Sequence, residues 1–361
     1  MTQRPHILVI GAGILGASIG WHAIRRGARV TIVEMARPGS GATRHSWAWI
    51  NASWGNPEHY VRFRIDAMSA WRRLERDLPA LRVHWTGGLN WELPPDRLEL
   101  FAAEHGRWGY DVRLVDRVEA LRIEPALARP PDLAVHAGGE ASVDAREATR
   151  ALLAATLDGG GTVLSDTAVE AVIVEHGRAV GVRMPAGTIR ADRVVVAAGA
   201  GAPALLAPLG FVMPVEAPPG LIVTSAPHER LLQGMIFPPF AMIRQDPAGR
   251  IVVSADAGSN PDGGTEAACA ILAQVQDTVR SAVPLVLEWH VLAPRPIPID
   301  GLPIMGSIGA VPGLSVAVTH SGVTLAALLG QLVADEILDD CRDPLLAPYR
   351  PERFERSLIP A

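Results

Sequence analysis

Apolar and polar positions alternate between two periods along this chain, and the first change of period comes at once. Ile7 to Ile10 are four apolar residues in a row, the mark of a strand buried on both faces. Gly11-Ala12-Gly13-Ile14-Leu15-Gly16 follows, then a run from Ala17 to Arg26 with Ala17, Ile19, Gly20, Ala23 and Ile24 available for one helical face. A second apolar strand, Val30 to Val33, ends on Glu34. Further on, 58–77 reads as an amphipathic helix rich in arginine, and 81–139 as short strands with a helical segment near Pro94–Gly106. Asp144 is placed to cap a helix running to Leu157, and Asp158 to Gly161 ends it. Strands are expected at 162–165, 168–175 and 179–183, with a turn at His176-Gly177. Another strand leads from Val194 into Gly199-Ala-Gly201. Residues 214–226 and 235–254 read as a separate sheet and 262–282 as mostly helical. Leu314–Thr319 reads as a buried strand, Ser321-Gly322 as a turn and Val323–Leu338 as a helix.

The opening stretch has every part of a dinucleotide-binding βαβ unit. Gly11 permits the tight turn, Gly13 lets a pyrophosphate approach the backbone, and Gly16 lets helix and strand pack closely. The helix N-terminus presents free N–H groups to phosphate. Glu34, eighteen residues after Gly16, can accept ribose hydroxyls. The alternative reading is a close-packed turn without ligand.

Composition narrows the class. A chain of 361 residues, 48% hydrophobic and 20% charged, can bury two domains' worth of core. The net charge of −5 offers no broad basic surface for nucleic acid. All 33 basic residues are arginine, so no lysine is available for chemistry. Cys269 and Cys341 are far apart, which predicts neither a disulfide framework nor a zinc site, and no metal ligands are proposed. The N-terminus runs straight into a strand, and two long uncharged stretches, 194–212 and 314–334, are broken by Gly, Pro or polar residues. A cytoplasmic protein without transmembrane segments is the expectation.

Several separated motifs together resemble the FAD-dependent D-amino-acid oxidase, glycine oxidase and sarcosine oxidase family. They are GAGILG with Glu34, VVVAAGAGAP at 194–203, RPIPIDGLPIMG at 295–306 and GLSVAVTHSGVTLAALLG at 313–330. The resemblance implies an α/β fold: a Rossmann-type FAD-binding domain (1–80, 140–212 and 293–361) interleaved with an α+β substrate domain (81–139 and 213–292) built on a mostly antiparallel sheet. It implies FAD held by residues 11–16, Glu34, Ser40, Ala42, Thr43, Arg44, Val169, Ala198, Gly199, Arg295, His320, Ser321, Gly322, Val323 and Thr324. The helix starting near Val323 would then favour negative charge on the flavin pyrimidine.

The implied reaction is oxidation of a C–N bond in an amine or amino acid by hydride transfer to flavin N5, giving an imine that hydrolyses. The alternative is a flavoprotein subunit of a hetero-oligomeric dehydrogenase that needs a partner. Thr43-Arg44 matches a Gly-Asp-Thr-Arg run of sarcosine oxidases, with Ala42 in place of the acid. His45 resembles the position of a histidine covalently bonded to flavin in related dehydrogenases, so FAD is expected to be noncovalent with a link through His45 left open. Arg44, His45, His320 and Arg295 are the candidate catalytic residues, and Arg44 or protonated His45 the candidate cation for oxygen reduction. A quinone or protein acceptor is the other route. Asp300 is the candidate structural partner of Arg295. Where glycine oxidases carry a carboxylate-binding arginine after the last strand's histidine, this chain has Ser321 and Gly322. Arg244 is the candidate substitute. Trp47, Trp49, Trp54, Phe237, Phe240 and Met242 are candidates for an apolar pocket. Oligomeric state is left open.

Overall fold

A computed structural model describes residues 4–255 and 264–354. The first strand, His6–Ile10, lies at the centre of a six-stranded sheet. Its order is Ile304–Ser307, Leu314–Val318, Arg193–Val196, His6–Ile10, Arg29–Val33 and Thr162–Leu164. All pairs are parallel except that between Ile304–Ser307 and Leu314–Val318. His6–Ile10 and Leu314–Val318 are buried along their whole length, and Arg193–Val196 from Val194 on, as unbroken apolar runs require.

A second sheet has eight strands in the order Leu287–Pro294, Pro219–Pro227, Arg250–Ala255, Met242–Gln245, Met235–Phe237, Gly88–Asn90, Leu133–Ala137 and Val112–Asp116. Its pairs are antiparallel apart from Met235–Phe237 with Gly88–Asn90. The fold is therefore α/β with a Rossmann-like parallel sheet beside a mostly antiparallel one.

The first helix spans Ile14–Arg25, starting earlier than Ala17 because Gly13 is already the extended residue ahead of its first turn. It packs on the final helix, Gly322–Asp339, through small residues. A Cβ on Gly330 would fall 2.0 Å from Ser18 Oγ, and that hydroxyl donates to Ala326 O at 2.7 Å. This packing brings both helix N-termini to one edge of the parallel sheet. The helix Glu58–Asp77 packs on the other flank of the final helix, its Trp71 Nε1 donating to Val323 O at 2.9 Å.

Asp144 caps the helix Ala145–Asp158 by accepting from the Arg146 and Glu147 N–H groups. The helix expected over 262–282 is observed as Thr265–Thr278, because Val279 turns extended; 262 and 263 lie outside the described residues. The two long uncharged stretches are strand–turn–helix units. Among the described residues no helix is long and apolar enough to cross a membrane.

Candidate functional site

The glycine turn is shaped by contacts that a side chain would block. Gly11 has φ +104°, and a Cβ there would meet Ala197 O at 2.5 Å; on Gly16 it would meet Gly11 O at 1.9 Å. Gly11 N–H donates to Val33 O, Ala12 N–H to Glu34 Oε2 at 2.8 Å, and Ile14 N–H to Thr43 Oγ1 at 3.1 Å. The Gly13 and Leu15 N–H groups have no acceptor among the described residues. Both residues line a groove of about 480 Å³ that also takes in Glu34, Val169, Ala198, Gly199, His320 and Gly322. Free amides at a helix N-terminus, a backbone bare of Cβ and an acid at the groove's side fit a dinucleotide.

This groove opens beside a second cavity of about 440 Å³, and Ala42, Ser46, Pro294, Pro296, His320 and Val323 line both. The second cavity is walled by Trp47, Trp49, Trp54 and Met242. Phe237 stands behind the wall, stacked on Trp49 at 4.5 Å between ring centroids. Phe240 packs into a different cluster on the antiparallel sheet and lines neither cavity.

Arg295 lines the second cavity without an ion-pair partner among the described residues, and its Nε is buried with nothing to donate to. Asp300, its expected partner, is taken by Arg353 at 2.7 Å. Gly220 leaves room for this guanidinium, since a Cβ there would meet Arg295 Cδ and Nε at 2.8 Å. His320 is solvent-accessible where it lines both cavities. Burial, then the Arg295 and Arg64 charges, lower its pKa to about 4, so it is neutral at neutral pH.

Besides Phe240, Arg44, Arg244 and Ser40 also stand elsewhere. Arg44 is exposed on the turn after Gly41 and lines neither cavity. Arg244 is buried against Trp47, its Nε donating to Trp47 O at 2.9 Å, and does not line the substrate-sized cavity. Ser40 is half-buried outside both cavities. His45 does line the second cavity, but burial and the Arg44 and Arg146 charges hold its pKa below the ordinary imidazole value. That favours the neutral form and works against a protonated His45.

The sequence reading missed Arg64. It lines the second cavity, is 7% exposed, and has no carboxylate partner among the described residues. It donates to Asn51 O at 3.0 Å, Asn51 Oδ1 at 2.6 Å and Ser321 Oγ at 2.7 Å. The signal was its register: with Tyr60, Ala67, Met68 and Trp71 it falls on the apolar stripe of its helix. Glu140 was missed as well. It is 2% exposed and accepts from Trp49 Nε1 at 2.9 Å and from the Tyr110 hydroxyl. Burial raises its pKa to about 8 against those hydrogen bonds.

The model of the DAO family, described as FAD dependent oxidoreductase, matches residues 6–336. A glycine oxidase of Pseudomonas aeruginosa is 28% identical, over 97% of this chain and 99% of its own. The solved iminodiacetate oxidase of Chelativorans sp. is 26% identical, covers 96% of this chain and 98% of its own, and superposes with a TM-score of 0.83. The L-proline dehydrogenase of P. horikoshii shares the fold, with a TM-score of 0.88 at 23% identity over the full length of both chains.

Proposed function

The chain belongs to the DAO family of FAD dependent oxidoreductases, and from that premise we propose that it oxidises the carbon–nitrogen bond of a small amine bearing a carboxylate. The observation that carries this reading is the unpaired guanidinium of Arg295 at the wall of the second cavity. A planar guanidinium without a protein carboxylate is suited to a bidentate pair with a substrate carboxylate. Glycine and iminodiacetate, for which two similar proteins are named, carry one and two carboxylates respectively. A cavity of about 440 Å³ is in the usual range for small ligands.

Residues 11–16, Glu34, Thr43, Val169 and the turn at Ser321-Gly322 would hold FAD. FAD held there would supply a hydride acceptor for the carbon that carries the nitrogen, the oxidised product being an imine open to hydrolysis. The protein's part is orientation and exclusion of water. Arg295 holds the carboxylate end, and the tryptophan wall keeps the reacting end dry. Neutral His320 adds no second charge beside Arg295 and leaves a ring nitrogen able to accept a proton.

The test is anaerobic bleaching of the purified yellow protein by glycine, sarcosine, iminodiacetate and proline, set beside the same amines without their carboxylates. Bleaching by at least one carboxylate-bearing amine, and not by its decarboxylated counterpart, is expected. Equal bleaching by both would remove the role of Arg295, and bleaching by no amine would remove the reaction class.

A further inference from the structure

The strand Met242–Gln245 turns Met242 and Arg244 to the same face, yet only Met242 reaches the substrate-sized cavity. Arg244 instead lines a separate small pocket of about 30 Å³, together with Arg230, His84, Ser142, Gln233 and Thr86. None of these residues lines either larger cavity. Arg244 is 9% exposed, and its only hydrogen bond among the described residues runs from Nε to Trp47 O. The two terminal nitrogens are left without partners, and the pocket is where their residue borders open space.

A buried guanidinium without a counter-charge is a costly arrangement. Asp246 and Asp144 act on it only through space, and burial outweighs them, lowering its pKa. The second cation at the pocket, Arg230, spends one donor on Gln233 O at 3.0 Å and keeps the others. His84 offers no counter-charge, and burial, then Arg244 and Arg230, hold its pKa below the ordinary imidazole value, which favours the neutral form. A water needs roughly 10–15 Å³ of such space, so the pocket has room for about two waters or one halide-sized ion.

We propose that this pocket binds a small inorganic anion of halide size, with Arg244 as its principal donor and Arg230 and Ser142 completing the shell. The bound ion supplies the counter-charge that the fold withholds. Through the hydrogen bond from Arg244 Nε to Trp47 O it also steadies the backbone of the residue whose side chain walls the substrate-sized cavity.

Chloride-35 NMR line broadening on the FAD-loaded protein tests this, with bromide as competitor and bromide-soaked crystals to locate the site. The expected results are saturable broadening reversed by bromide, its loss in R244M, and a several-fold weaker affinity in R230Q. An anomalous bromide peak within hydrogen-bonding reach of the Arg244 terminal nitrogens is expected as well. If R244M does not fold, R230Q, altered at an exposed position, and the crystal carry the test. Broadening unchanged in R230Q, or no bromide peak in this pocket, overturns the proposal.

Discussion

Arg64 donates to Ser321 Oγ at 2.7 Å, so a buried charge on the helix Glu58–Asp77 is tied to the residue that precedes the final helix. The same guanidinium grips Asn51 by its backbone and side-chain oxygens. One residue thus fixes the three segments that meet at the inner end of the second cavity. Replacing it with Met removes these charge-assisted bonds and leaves Asn51 O unsatisfied, an expected loss of about 3 kcal/mol. Urea unfolding of R64M and R64K measures it; R64K is expected to recover only part, since an ammonium cannot reproduce the planar fork.

Among the described residues Arg295 has no partner to lose. R295M is expected to unfold at the same urea midpoint as the unsubstituted protein while KM for a carboxylate-bearing substrate rises roughly 10–150-fold, about 1.5–3 kcal/mol for a hydrogen bond to a charged group. Steady-state kinetics with and without the substrate carboxylate separate this from general damage.

Glu140 is held protonated by its surroundings, with a pKa of about 8 in place of 4.5. A carboxyl whose folded pKa is raised contributes fully below its unfolded value, and that contribution fades as pH rises through 8. Unfolding measured from about pH 5 to about pH 9 is expected to show this loss, with a flatter profile in E140Q. E140A, which strands Trp49 Nε1 and the Tyr110 hydroxyl, is expected to lose about 2–4 kcal/mol at neutral pH.

His320 behaves in the opposite sense. Its pKa is lowered from 6.5 to about 4, so its favourable neutral form is complete above 6.5 and is lost as pH falls toward 4. The imidazole proton resonances of His320, assigned by comparison with H320Q, are expected to titrate near the lower value. A midpoint near 6.5 would contradict the burial argument.

The second and third glycines of the nucleotide turn differ in what they tolerate. A Cβ on Gly13 meets only Thr43 Oγ1, at 3.2 Å, so G13A is expected to fold and to retain less FAD. A Cβ on Gly16 would fall 1.9 Å from Gly11 O, so G16A is expected to give little soluble protein. Soluble yield and the visible flavin band distinguish the two.

The nucleotide half of the site was legible because its signals are local: an apolar run, glycines at fixed offsets, an acid at the end of the next strand. The parallel sheet was legible for the same reason. The second cavity was read less well, because its walls are set by contacts between distant segments. Arg244 and Met242 sit two residues apart on one strand face, yet Met242 lines the cavity while Arg244 is bonded to Trp47 O. Glu140 sits in a turn-like Gly-Gly-Glu-Ala sequence that gives no sign of burial. Arg64 was hidden among the other arginines of its helix, and its place on the apolar stripe was the one clue. Arg44 looked well placed because Thr43-Arg44 resembles a Gly-Asp-Thr-Arg run of sarcosine oxidases, yet its side chain is exposed.

The order of strands in the parallel sheet bears on how the protein is made. Its centre joins His6–Ile10 to Arg193–Val196, and that strand to Leu314–Val318. The groove's far wall, Val318 to Val323, therefore leaves the ribosome after the groove's other walls. A chain arrested before Leu314 has the glycine turn with its Val33 and Ala197 neighbours but lacks that wall, so it is expected to retain no flavin.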